Sequence, residues 1–223
     1  MNTEKRLLRI FQTLLSSFGK RNWWPGETEL EIIVGAILTQ NTSWKNVEKA
    51  INNMKIHNIL NSDAIQSIPL EKLEEIIKPS GFYKQKSERL KKVIHLLHDH
   101  NHKSIHNLKQ FDTMFLRNLF LNITGIGPET ADSILLYAFN RPIFVVDAYT
   151  KRFIKNHGLY DGNGKYDDIQ QYFMTNLPLD TYLFNEFHAL IVCLCQTYCK
   201  KVPECELCPL HGEINSTIGL TKL

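Results

Sequence analysis

The sequence predicts an all-α fold. Apolar residues recur at helical spacing through most of the chain, no segment of useful length alternates as a half-buried strand would, and short loops separate the periodic stretches. Leu7, Leu8, Ile10, Phe11, Leu14, Leu15 and Phe18 form one stripe, stopped by Gly19. A turn at Trp23-Trp24-Pro25-Gly26 leads to Leu30, Ile32, Ile33, Ile37 and Leu38, apolar nearly all round, which places this second helix at the centre of a helical domain. Further helices are expected over 44–53, 63–68, 70–78, 84–100, 111–121, 128–139, 148–156, 166–176 and 181–198. The run 142–146 is short and continuously apolar, which suits a buried connector.

Composition bounds the function classes. The 223 residues suffice for one large domain or two small ones, and 43% are hydrophobic, so a real core can be buried. A net charge of +3 permits nucleic-acid binding without demanding it, because phosphate contacts are local. No apolar run is long enough to span a membrane, and the first ten residues mix acid and base without a signal-peptide core, so the protein is expected to be cytoplasmic. His95, His98, His100, His102 and His106 lack ordered ligand spacing and read as a solvated helix end. Asp161-Gly162-Asn163-Gly164 opens like a calcium loop but lacks the closing Glu, so it reads as a turn.

The stretch Leu119-Phe-Leu-Asn-Ile-Thr-Gly-Ile-Gly-Pro-Glu-Thr-Ala-Asp-Ser-Ile-Leu135 has a distinct logic. A helix stops at Gly125, and Pro128 sits where a new helix begins. Ile126 plugs between the two helices, and the outward amides of Thr124–Gly127 and the new helix start suit a phosphate. Downstream, Asp147 precedes a helix whose first amides favour its ionised form.

The hairpin, the following Ile143-Phe-Val-Val-Asp147, Gly35-Ala-Ile-Leu-Thr-Gln-Asn-Thr42, Ser80-Gly-Phe-Tyr-Lys-Gln-Lys86 and the C-terminal cysteines together resemble the endonuclease III superfamily of helix-hairpin-helix DNA glycosylases. That resemblance covers most of the chain. It implies two helical lobes, residues 22–140 carrying the hairpin (about 115–135) and residues 1–21 with 141–223 carrying the cysteines, with damaged double-stranded DNA across the cleft and Asp147 at its mouth. A monomer of bacterial or archaeal type, on the nucleoid when bound, is expected. The implied roles are Asp147 as the catalytic carboxylate, Gln40 filling the gap of a flipped base, Phe82 wedging into the stack, and Thr124, Gly125, Ile126 and Gly127 on the backbone.

Bifunctional members carry a lysine where this chain has Glu129, and a carboxylate cannot form a Schiff base, so a monofunctional enzyme is expected. The chain is most similar to the branch that removes alkylated purines such as 3-methyladenine, through Trp23-Trp24-Pro25, Leu38-Thr-Gln-Asn-Thr42 followed by Trp44, Pro79-Ser-Gly-Phe-Tyr83, and Glu129 itself. Trp23, Trp24, Pro25 and Trp44 are the expected base pocket, since electron-rich indoles attract a cationic base. The competing readings are a lyase on oxidised pyrimidines, a DNA-damage binding module without chemistry, and a redox protein.

All 5 cysteines lie between Cys193 and Cys208, which argues for a metal or cluster over a disulfide framework. Cys199-x5-Cys205-x2-Cys208-Pro209 resembles the family's iron–sulfur loop, which implies a [4Fe–4S] cluster and places Lys200 and Lys201 on a DNA-facing loop. The usual fourth cysteine is missing. Cys195, one helical turn before Cys199, is the expected fourth ligand; His211, an open iron site, zinc and a loop with no cofactor are the alternatives. Cys193 is expected in the core.

Overall fold

The computed structural model describes residues 2–99, 105–162 and 164–213. His100, His102, Asn163 and the side chains of His98 and His106 lie outside the described residues. Among the described residues every regular element is helical. The chain forms two compact units, one built from Met1–Trp23 with Pro142–Leu223 and the other from Trp24–Arg141.

The first unit opens with α1 (Thr3–Phe18), capped by the Asn2 side chain, which accepts from the Glu4 N–H at 3.1 Å. Leu7, Ile10 and Leu14 form its buried stripe, and Gly19, at φ +69°, ends it. The chain leaves α1 on a buried carboxylate: Glu186 accepts from the Arg21 and Asn22 N–H groups, each at 2.8 Å.

The second unit is built around α2 (Glu29–Leu38), in which every residue from Ile33 to Leu38 is buried. Around it run α3 (Trp44–Ile56), α4 (Ser62–Ser67), α5 (Leu70–Ile77), α6 (Tyr83–Asp99), α7 (Ile105–Leu108), α8 (Thr113–Leu121) and α9 (Pro128–Ser133). Helix α8 starts two residues later than the periodicity suggests because Asp112 caps it, accepting from the Phe115 N–H at 2.9 Å. The single helix expected over 128–139 divides: α9 runs into a π turn at Ile134–Ala138, closed by the Phe139 N–H on the Ile134 carbonyl at 3.1 Å.

The chain returns to the first unit through the buried connector Ile143, Phe144, Val145 and Val146. Side chains of the later helix Tyr166–Asn176 satisfy its backbone: Gln170 donates to the Phe144 carbonyl at 2.6 Å, and the Tyr166 hydroxyl accepts from the Val146 N–H at 3.4 Å. Then come α10 (Ala148–Asn156), α11 (Tyr166–Asn176) and α12 (Thr181–Thr197). Their core is aromatic: Phe144 stacks on Phe173 with centroids 4.0 Å apart, and Phe184 and Phe187 meet it edge-on.

Candidate active site

Asp147 is the N-cap of α10, and the connector delivers it there. Its Oδ1 accepts from the Thr150 N–H at 2.7 Å, and its Oδ2 lies 3.5 Å from Nε2 of His188 on α12. Burial by itself would raise this carboxyl; the His188 charge and hydrogen bond, with the Thr150 amide and hydroxyl, outweigh it and hold Asp147 below the usual carboxylate range. Asp147 is therefore ionised at neutral pH, in a largely dry setting beside His188. The sequence reading missed His188, although a histidine inside the apolar run Phe187-His188-Ala189-Leu190 was the available signal.

In the second unit the hairpin joins α8 to α9. Arg117 clamps the two helices by a bidentate pair with the buried Asp132, at 2.7 and 3.1 Å. Ile126 is buried as the plug, and Gly125 takes φ +92°. Gly125 is required twice over, because a Cβ there would meet Nε of Arg89 at 2.2 Å. Thr124, Gly127 and Glu129 are exposed. Gly127 has extended backbone and open space where a Cβ would stand, so room at the surface, not backbone conformation, distinguishes it.

Phe82 is 61% exposed and sits at φ +46°, an uncommon conformation for an aromatic residue. Gln40, just past the end of α2, has its amide engaged: Arg89 donates to its Oε1 at 2.6 Å, and its Nε2 donates to the Gly125 carbonyl and the Thr130 hydroxyl at 3.2 and 2.8 Å. Lys86 is fully buried, donating from Nζ to the carbonyls of Leu38 at 2.9 Å and Ser80 at 2.7 Å. Those carbonyls lie two residues before Gln40 and Phe82, so one side chain sets both loops. Lys86 was legible as a cation four residues before Leu90 on the buried stripe of α6.

Trp24 packs its indole over Gly35 of α2, where a Cβ would meet Nε1 at 2.9 Å. Trp44 meets Trp24 edge-on at 5.2 Å, and Tyr137 of the π turn lies tilted against it at 5.1 Å. Trp24 and Trp44 are half-buried and Pro25 is exposed, so the cluster is open to solvent on one side. Tyr137 was not anticipated, because a helical register gives no sign of a π turn. Trp23 belongs to the other unit.

A hairpin with an exposed glycine turn, followed through a buried connector by an ionised aspartate, matches a known family pattern over residues 34–179, that of HhH-GPD superfamily base excision DNA repair proteins. This chain belongs to that superfamily. The Methanocaldococcus jannaschii protein MJ1434, provisionally named a DNA repair glycosylase, is 47% identical over 94% of this chain and 96% of its own length. The Helicobacter pylori 3-methyladenine DNA glycosylase MagIII, solved with 1,N6-ethenoadenine, is 31% identical and superposes with a TM-score of 0.72 over 86% of this chain and 96% of its own. An endonuclease III–DNA complex shares the fold at TM-score 0.80 and 19% identity, covering 96% of both chains.

In this HhH-GPD protein the C-terminal cysteines are only partly assembled. Cys199, Cys205 and Cys208 line one cleft with Asn156, His157 and Pro203. Helix α12 ends at Thr197, so Cys199 is off the helix and the one-turn register with Cys195 is lost. Cys195 stands beside the cleft instead, its thiol directed to Cys199 and the Tyr149 carbonyl. The bond from Cys195, with Asn156 and Arg152 and against the pull of burial, keeps the Cys199 thiol low, while Cys195 is pushed up. Among the described residues no three His, Cys, Asp or Glu side chains converge at metal-ligand spacing. Cys199, Cys205 and Cys208, with Cys195 beside Cys199, are the side chains that would hold a cluster. His211 is exposed, its Nδ1 3.0 Å from the Cys205 carbonyl. Cys193 is half-buried, a correction to its expected core position, because it lies on the flank of α12. Lys200 is paired with Glu204 at 2.8 Å, and both Lys200 and Lys201 are exposed.

Proposed function

We propose that this protein is a monofunctional DNA glycosylase that hydrolyses the N-glycosidic bond of a flipped-out, alkylated purine such as 3-methyladenine. The observation that carries the reading is the open aromatic cluster of Trp24, Trp44 and Tyr137. A purine methylated at a ring nitrogen is cationic, and an indole face attracts a cation by about 0.5–2 kcal/mol over a neutral ring. The similarity to a 3-methyladenine glycosylase supports the same substrate class.

The chemistry needs little apparatus. The cationic base departs with the electrons of the C1′–N bond and becomes neutral. The sugar left behind is oxocarbenium-like, and the ionised Asp147 stabilises it and takes the proton of the water that adds to C1′. Glu129 stands exposed at the start of α9, where an amine nucleophile would be needed for strand cleavage. The test is base release from methylated, oxidised, uracil-containing and mismatched duplexes, with borohydride trapping on abasic DNA. Release of methylated purines without trapping is expected. Efficient trapping, or release confined to oxidised pyrimidines, refutes the proposal, and release from none of them favours a binding module.

A further inference from the structure

Both N–H groups of the Gln40 amide are spent inside the protein. They donate to the Gly125 carbonyl at 3.2 Å and the Thr130 hydroxyl at 2.8 Å, while Arg89 donates to the amide oxygen at 2.6 Å. The two acceptors stand on opposite sides of the hairpin turn: Gly125 ends the α8 side, and Thr130 is buried in the first turn of α9. The amide therefore crosses the hairpin from its turn to its second helix. Arg89 backs it from α6, its side chain filling the space that a Cβ on Gly125 would take. Lys86, also on α6, holds the Leu38 carbonyl at 2.9 Å and so fixes the end of α2 from which Gln40 projects. Entering a duplex would require Gln40 to give up three bonds at once, one to a buried hydroxyl and one to a guanidinium.

We propose that Gln40 is a positioning residue for the hairpin: it holds the turn in the shape that takes a DNA phosphate, and it stays in the protein when a nucleotide is extruded. This rests on the glycosylase reading, in which the hairpin grips the backbone. Gly125, in a left-handed conformation and with no side chain of its own, depends on neighbours to set its peptide. The Gly125–Ile126 peptide is held from both ends, its carbonyl by Gln40 and its N–H by the Ile123 carbonyl at 2.9 Å. With that peptide fixed, Thr124 and Gly127 stay exposed on either side of it, and the hairpin meets a phosphate without first having to order its turn. A strut of this kind acts on every duplex alike, because phosphates are present with or without a lesion. A side chain that fills a gap acts only where a nucleotide has left the stack.

The test uses the whole protein, an undamaged duplex and the same duplex carrying a tetrahydrofuran abasic analogue, with affinity read by fluorescence anisotropy over a series of salt concentrations. Neither duplex carries a damaged base to release, so the result is independent of catalysis. Gln40→Ala should weaken binding to both duplexes by the same factor, roughly 3- to 10-fold, the worth of a hydrogen bond. It should also lower the slope of log affinity against log salt by about 1, as one phosphate contact loosens. A change that only destabilised the fold would leave that slope alone. Thr130→Val keeps the buried shape and removes the acceptor, so it should act in the same direction. Added to Gln40→Ala it should cost no further affinity, because both cut the same strut. Thermal melts establish that each variant is folded; if Gln40→Ala is not, Thr130→Val decides by the same comparison. A loss confined to the abasic duplex would make Gln40 a gap-filler and overturn the proposal. Unchanged affinity for the undamaged duplex in either variant, or no binding by wild type, overturns it as well. Failure to release any methylated base would sink the proposed function while leaving these affinities intact.

Discussion

Lys86→Met tests the account of α6 most directly. The substitution keeps a long stem in a fully buried position and removes an amine that serves the Leu38 and Ser80 carbonyls. Each carbonyl left without its donor costs about 1–3 kcal/mol. Against that, burial, with Arg89 nearby, pulls the Lys86 ammonium from 10.5 down to about 8, so carrying the charge at pH 7 costs about 3 kcal/mol. The two effects oppose each other, and at pH 7 the variant should lie between about 1 kcal/mol more stable and about 3 kcal/mol less stable than wild type.

The pH dependence is sharper. Between the folded value of about 8 and the unfolded value of 10.5, the unfolded chain binds more protons than the folded one, so wild-type stability rises with pH in that window. A neutral amine still has two N–H groups, enough for both carbonyls. The variant lacks this gain, so the stability gap should widen by about 2–3 kcal/mol between pH 7 and pH 10. Urea unfolding of both proteins, followed by tryptophan fluorescence, measures it, and titrations common to both cancel in the difference. A gap that stays constant or narrows with pH refutes the reasoning.

Three further outcomes are expected. Asp147→Asn should cut the single-turnover rate of base release by at least about 100-fold. Because the Asp147 carboxyl is lowered on folding, its stabilisation is present above the unfolded value and lost as pH falls through the folded one, so this variant should also show a flatter acid limb in stability. Gly35→Ala should push Trp24 out of place, since the new Cβ would stand 2.9 Å from its Nε1; an overpacking cost of about 1–3 kcal/mol and weaker release of methylated purines are expected, measured by thermal melts and base-release assays. Arg117→Met should cost about 3 kcal/mol or more, as for breaking a buried ion pair from one side, and unchanged melting would show that the clamp between α8 and α9 contributes nothing.

The sequence by itself determined the helices, the hairpin and the aspartate, because each is written in local chemistry. A stripe at 3.6-residue spacing has to bury one face, Gly125 and Pro128 allow the chain to turn and restart, and an aspartate ahead of a helix is its cap. Where local chemistry was misread, as at Asp112 or the π turn after Ser133, the error amounted to a boundary or a register. Tertiary structure alone decided what surrounds those residues: His188 against Asp147, Lys86 under the Gln40 and Phe82 loops, Arg89 on Gln40, Tyr137 beside Trp24, and Cys195 beside Cys199 at the edge of the cleft that Cys199, Cys205 and Cys208 share. The reason is physical. A periodicity fixes which face of a helix is buried, but the partner across that face comes from a distant segment, and contacts between such segments depend on packing angles that no local pattern records.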